Sequence, residues 1–444
     1  MHATADATQT LLARLADARQ MTDDLFRIVK SDSLYERPIP ERHRIIFYIG
    51  HLEAFDWNLI SERLLGLKPF DPDFDRLFAF GIDPVGGGLP TDQPSDWPAV
   101  SRVEEYCRQV RQKIDQALER FEETAAQRED AESNFRTLLN VAIEHRLMHA
   151  ETLAYMFHQL PLAHKIHAEG RPGRMVGPLV ANMILIPTGG IALGLQSRDG
   201  DEFGWDNEFQ FHTVSVPAFE IDRYEVTNGQ FLEFIAAGGY ENRSLWTEEG
   251  WNWIRAADIT HPAFWKKNGS GWVYRGMFDE IQLPLDGPVL VSHAEATAYA
   301  RWAGKELPTE AQWQRAAYGT PGGDEREFPW GSDAPDHARG NFDFFRWDPE
   351  AVNAHPEGQS AFGVADMAGN CWEWTSTVFE PFQGFKPFAF YPGYSANFFD
   401  GEHYVLKGGS ARTAACMLRK SFRNWFQAHY QYVYAGFRCA KNQS

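Results

Sequence analysis

His145 and His149 stand four residues apart, in the string His145-Arg-Leu-Met-His149-Ala-Glu151. On a helix, positions i and i+4 lie about 40° apart at roughly 100° per residue, so both imidazoles leave one face and can chelate one metal ion. Val141, Thr152 and Met156 share that face, which turns it toward a core. Glu151 is displaced by about 200° from His149 at the same pitch, so it is expected to be a structural or indirect partner and a poor third ligand. A third imidazole is available at His51, inside the i, i+4 row Phe47, His51, Phe55, Leu59. A histidine in such a stripe is buried and needs a partner. The spacing admits either a core histidine bonded to a backbone carbonyl or a third ligand. Three histidines suit zinc, iron, nickel or copper, with open positions for substrate or oxygen. No carboxylate is evident as a ligand, so the site would be more positive than a two-histidine, one-carboxylate iron site. That would favour capture of an anionic thiolate or selenolate. His2, His43, His158, His164 and His167 are expected at the surface or in a linker.

The elements that must position these groups read as helices. Residues 8–19, 42–64, 103–127 and 133–160 each show helical periodicity, and four such stretches joined by loops suggest an up-and-down bundle. The connection over 68–97 is long and rich in Asp, Pro and Gly, which in a compact domain points to function. The composition changes near Lys165. Residues 169–180 read as a linker between a bundle over 1–168 and a second domain over 181–444. Strands are expected at 183–187 and 211–217, and short helices at 228–237 and 293–303. From Gly319 onward Gly, Pro, Phe, Tyr and Trp dominate, as in a loop-rich α+β domain with an aromatic core.

Composition bounds what the chain can do. With 444 residues, 42 Lys and Arg and 61 Asp and Glu, the formal charge is 42 − 61 = −19. Such an acidic surface argues against a general nucleic-acid binder, which needs basic groups to neutralise phosphate. No apolar run approaches the roughly 18 residues of a membrane span, and no secretory signal is visible at the start. The four cysteines, Cys107, Cys371, Cys416 and Cys439, form no CxxC pair, which disfavours a disulfide scaffold or a cysteine–zinc ribbon. A reducing, cytoplasmic setting is expected.

Several strings in the second half are specific. They are Phe219-Glu-Ile-Asp-Arg-Tyr-Glu-Val-Thr-Asn-Gly-Gln-Phe231, Leu307-Pro-Thr-Glu-Ala-Gln-Trp-Gln-Arg-Ala-Ala-Tyr-Gly319, Phe328-Pro-Trp-Gly331, Gly369-Asn-Cys-Trp-Glu-Trp-Thr375, Leu406-Lys-Gly-Gly-Ser410 and Ala435-Gly-Phe-Arg-Cys439. In this order they resemble the formylglycine-generating-enzyme (C-type-lectin-like) fold. That fold alone does not fix an activity. Joined to a DinB-like four-helix bundle with His51 and His145-x3-His149, the chain resembles the ergothioneine sulfoxide synthase family over nearly its whole length.

The resemblance implies an α+β protein and an Fe(II) enzyme that uses O2 to join a chalcogen donor to the imidazole carbon of hercynine. The implied iron ligands are His51, His145 and His149. Members of the family often carry Gln before the last ligand histidine, where this chain has Met148. The mycobacterial-type enzymes carry Arg-Asn-Trp-Asp near the end, where this chain reads Arg423-Asn424-Trp425-Phe426. Asn424 and Trp425 can still hold the betaine, by hydrogen bonding and by cation–π attraction to trimethylammonium. Phe426 cannot pair with the ammonium of γ-glutamylcysteine, and the loop over 83–91 lacks arginines for the donor's carboxylates. A neutral donor pocket resembles that of the selenoneine synthase branch, which takes a selenosugar. A tyrosine near iron could deliver a proton or electron, with Tyr391 and Tyr394 as candidates. The alternatives are an ergothioneine-type enzyme using cysteine or γ-glutamylcysteine, and a zinc-dependent DinB-type thiol transferase. A copper formylglycine-generating enzyme lacks its paired cysteines here, and a non-catalytic protein would not need the three histidines.

Overall fold

The computed structural model describes residues 2–79, 89–120, 134–168, 170–171, 173–174, 176–177, 179–196, 202–269 and 271–443, with side chains from residue 10 onward. The chain divides into two compact units, Met1–Ala168 and Glu169–Ser444. No helix among the described residues is long and apolar enough to cross a membrane.

The first unit is helical: α1 (His2–Arg27), α2 (Ile45–Ile60), α3 (Pro72–Leu77), α4 (Val100–Leu118) and α5 (Phe135–Gln159). In α4, the buried residues are Val103, Tyr106, Val110, Ile114 and Leu118, a stripe at three- and four-residue spacing. By contrast, α2 and α5 are buried around most of their circumference. They are the inner helices, with α1 packed on α5 and α2 packed on α4 and α5. Their ends follow from local chemistry. Asn134 accepts a hydrogen bond from the Thr137 amide at 2.9 Å to start α5. Asp71 accepts from the Phe74 amide at 3.2 Å, with Pro72 in the first turn, to start α3 inside the long connection.

Three expectations need adjustment. α1 runs past its expected end at residue 19 to Arg27. α4 ends at Leu118, and the remainder of its expected length, beyond residue 120, lies largely outside the described residues. His158, expected at the surface, is fully buried because α5 is covered on that side as well. His43 is half-buried and stacks on Phe47 with ring centroids 4.2 Å apart.

The second unit holds β1 (Met183–Ile186), β2 (Gly189–Leu193), β3 (His212–Val216), β4 (Phe219–Asp222), α6 (Asn228–Ala236), α7 (Glu248–Ala256), β5 (Trp265–Asn268), β6 (Gly271–Arg275), β7 (Glu280–Gln282), α8 (His293–Trp302), α9 (Glu310–Tyr318), β8 (Trp372–Val378), β9 (His403–Lys407), β10 (Asn424–Gln427), β11 (Ala435–Gly436) and β12 (Ala440–Asn442). The strands form small sheets in the orders β1-β4-β12, β10-β9-β8-β11, β2-β3 and β5-β6-β7. Reciprocal capping boxes set the starts of α6, α8 and α9 through Thr227 with Gln230, Ser292 with Glu295, and Thr309 with Gln312. The core is aromatic, as expected: Trp205, Trp313 and Trp374 are fully buried. All four cysteines are free thiols.

Candidate metal centre

The stripe read on α2 and the pair read on α5 meet inside the bundle. His51, His145 and His149 each offer one ring nitrogen within 4.8 Å of the others, and all three residues are buried. Ring centroids lie 5.4 Å apart for His51 and His145, 5.0 Å for His51 and His149, and 4.5 Å for His145 and His149. The two readings of His51 are compatible. Its Nδ1 lies 2.7 Å from the Phe78 carbonyl oxygen, which makes Nδ1 the donor and leaves Nε2 with its lone pair.

Burial depresses the basicity of all three rings. It holds His51 at about 4, and it holds His145 and His149 well below the ordinary value, with the neighbouring imidazoles adding to the effect. Neutral imidazoles with unshared pairs are the form that binds metal. Nδ1 of His145 and Nδ1 of His149 are buried and have no hydrogen-bond partner among the described residues. Three converging neutral nitrogens in a shielded pocket fit a divalent transition-metal ion, and among the described residues no carboxylate belongs to the cluster. Aromatic rings from α2 wall it. Phe47 stacks on His51 at 4.9 Å, Phe55 on His145 at 3.4 Å, and Tyr48 lies 5.9 Å from His149.

Beside the histidines lies a buried charge network that the sequence reading missed. Arg146 follows His145 and is 1 % exposed; it bonds Asp56 at 2.7 Å, Glu53 at 3.0 Å and the Leu52 carbonyl at 3.0 Å. Arg111 of α4 joins Glu53 and Asp23, each at 2.7 Å. Burial alone would raise Glu53, but Arg146 and Arg111 outweigh it and hold that carboxyl at about 2. The network ties α2 and α5, which carry the histidines, to α1 and α4. Its sequence signal was weak, because one Arg and two acids on inner helices look like surface charges until the helix faces are known.

The other expected site residues are distributed as follows. Met148 is half-buried on α5 next to His149, and its carbonyl accepts from the Thr152 hydroxyl at 3.2 Å. Glu151 is buried on α5. The loop over 83–91 falls outside the described residues as far as residue 88.

In the second unit, Asn424, Trp425 and Phe426 are half-buried on β10. Asn424 Oδ1 accepts from the Trp425 amide at 2.9 Å. Trp425 stacks on Phe379 at 4.3 Å and meets Tyr394 edge-on at 5.4 Å, and Phe398 lies 5.6 Å away. Tyr394 is buried and stacks on Trp205 at 3.9 Å, with Tyr391 5.7 Å away. One candidate tyrosine is thereby brought against a candidate substrate residue. Strand alternation sends Phe426 to the other face, where it stacks on Tyr430 at 5.1 Å and is paired across the sheet with Tyr404. Arg423 is committed elsewhere. Its guanidinium is buried against Glu310, at 2.9 and 3.1 Å, and lies over Phe382.

Comparison with known proteins places this geometry in context. A model of the sulfatase-modifying factor enzyme 1-like domain matches residues 172–443, and one of the DinB superfamily matches residues 14–153. A hercynine oxygenase of Mycolicibacterium thermoresistibile is 37 % identical over 448 residues, covering 97 % of this chain and 94 % of that protein. The hercynine oxygenase of Mycolicibacterium smegmatis is 33 % identical over 463 residues, covering 98 % and 99 %. Ergothioneine biosynthesis protein 1 of Schizosaccharomyces pombe is 29 % identical over 467 residues, covering 94 % of this chain and 54 % of its own length.

Proposed function

We infer the function from one premise: the chain belongs to the ergothioneine sulfoxide synthase family, the family of the hercynine oxygenases. The proposed activity is the O2-dependent joining of a chalcogen donor to the imidazole carbon of hercynine, with Fe(II) as cofactor. The observation that carries it is the buried His51, His145 and His149 cluster in a chain of this family. Iron held there would supply O2 activation and a binding position for an anionic chalcogen.

The chain's own residues do the rest of the work in this reading. His51, with Nδ1 fixed on the Phe78 carbonyl, keeps its ring plane and presents Nε2. Burial keeps the three imidazoles unprotonated. Asn424 and Trp425 bind the betaine, and Tyr394 or Tyr391 holds a proton at its phenolic oxygen for delivery to reduced oxygen. The half-buried indole of Trp425, set among aromatic rings, is the kind of surface a trimethylammonium group prefers.

That last assignment has a direct check. Cation–π attraction is worth about 0.5–2 kcal/mol, so Trp425→Ala should raise the hercynine dissociation constant about 2- to 30-fold, with metal content unchanged. Trp425→Phe should recover part of the loss. A dissociation constant unmoved in Trp425→Ala, measured by calorimetry, removes Trp425 from the site.

For the donor, the proposal is a selenosugar and formation of a C–Se bond, as in selenoneine synthesis. Phe426, stacked on Tyr430, offers aromatic surface to a sugar ring and no carboxylate to pair with an ammonium group. Leaving such a charge buried and unpaired costs several kcal/mol. The wild-type enzyme should therefore show a higher kcat/KM with a selenosugar than with cysteine or γ-glutamylcysteine, and Phe426→Asp should shift the ratio toward the amino-acid donors. Faster turnover of cysteine or γ-glutamylcysteine by the wild type, at matched concentrations, would make the product an ergothioneine-type sulfoxide instead.

A further inference from the structure

A metal-binding histidine ordinarily keeps its ring plane by donating its second nitrogen to a carbonyl or carboxylate. His51 has that support from Phe78. His145 and His149 do not: both Nδ1 atoms are buried without a hydrogen-bond partner among the described residues. His145 has something else in its place. The Phe55 ring lies flat on its imidazole, with centroids 3.4 Å apart and planes inclined by 9°. The stack of Phe47 on His51 is looser, at 4.9 Å and 19°. His149, by comparison, meets Tyr48 at 5.9 Å and 55°.

The origin of this contact is the helical row on α2. Phe47, His51 and Phe55 follow one another at i, i+4 spacing, so a single row carries one imidazole and two ring plates. Phe47 stacks on His51 within the row, whereas Phe55 reaches across to α5 and covers His145. An electron-poor imidazole bound to a cation gains from an aromatic face, so the stack would strengthen on metal binding.

We propose that Phe55 is a positioning residue for the metal centre, holding the His145 ring by face-to-face stacking in place of the hydrogen bond that this histidine lacks. The proposal rests on the reading of the three histidines as metal ligands. Removing a supporting group of a metal ligand typically costs 10- to 100-fold in metal affinity, and the loss of Phe55 should fall in that range.

The test uses the full-length, metal-free protein titrated with Co(II), whose visible d–d bands report ligand geometry, and with Fe(II) under anaerobic conditions. Phe55→Leu keeps the apolar volume but removes the ring; Phe55→Tyr keeps the ring. The expected result is a dissociation constant raised roughly 10- to 100-fold in Phe55→Leu, with shifted Co(II) bands, and wild-type values in Phe55→Tyr. Thermal unfolding of the metal-free proteins separates this from general damage, and Phe55→Met repeats the test if Phe55→Leu unfolds early. Wild-type affinity and bands in both ring-free variants would overturn the stacking role while leaving the histidines as ligands. His145→Ala, run alongside, distinguishes the two failures. If it too binds Co(II) like the wild type, the metal-centre reading falls and the role of Phe55 falls with it.

Discussion

Alanine at any one of His51, His145 and His149 is expected to abolish metal binding and, with it, turnover. The three ring nitrogens lie within 4.8 Å of one another, and among the described residues no carboxylate joins the cluster to replace a lost ligand. Loss of a group that merely supports a ligand already weakens binding 10- to 100-fold, so loss of a ligand itself should exceed about 100-fold. The variants differ in their effect on folding. His51→Ala also leaves the Phe78 carbonyl without its donor, which costs about 1–3 kcal/mol. In His145→Ala and His149→Ala no Nδ1 hydrogen bond is lost, so their metal-free forms should unfold nearer to the wild type. Glu151→Gln, on a different face of α5, should retain metal. Elemental analysis and unfolding curves of the four proteins provide the check, and full iron occupancy in His51→Ala would end the three-histidine assignment.

The largest stability effect is expected at Arg146. Its guanidinium is 1 % exposed and joins Asp56, Glu53 and the Leu52 carbonyl. Arg146→Met would leave Glu53 with Arg111 but would strip Asp56, which is 0 % exposed, of its cation. Breaking a buried pair from one side costs about 3–5 kcal/mol, whereas an apolar replacement of both partners is often close to neutral. Arg146→Met should therefore unfold at distinctly lower denaturant, and Arg146→Met combined with Asp56→Leu should regain most of the loss. Because the same network holds α2 against α5, metal affinity should fall and recover in step with stability. A single variant as stable as the wild type would show that the network contributes little to the bundle.

How much of this could be read from the chain follows from the range of each interaction. The i, i+4 pair His145 and His149 was legible because its geometry is local to one helix. His51 was legible as a polar residue in an apolar row. Its carbonyl partner, Phe78, was not, because it lies in a connection with no periodicity. The row that carries His51 also contained Phe55, but nothing in its spacing showed that this ring would cross to the neighbouring helix. In the second unit, the specific strings indicated the fold. The juxtaposition of Tyr394 with Trp425 depends on loops and short strands whose pairing, β10-β9-β8-β11, follows no sequence period. Arg423, adjacent to the candidate betaine residues in sequence, is buried against Glu310 and lies over Phe379, the ring on which Trp425 stacks; both partners are distant in sequence, so no local spacing showed them.

The central claim is an iron enzyme that consumes O2 to couple a chalcogen to hercynine. The most direct measurement is O2 uptake by protein loaded anaerobically with one equivalent of Fe(II), on mixing with hercynine and, in parallel, a selenosugar, a thiosugar, γ-glutamylcysteine and cysteine. The account predicts uptake that requires iron, hercynine and a donor together, is absent in His149→Ala, and is accompanied by a product carrying the chalcogen on the imidazole carbon. Protein that retains zinc, takes up no O2 and leaves hercynine unchanged with every donor would contradict it.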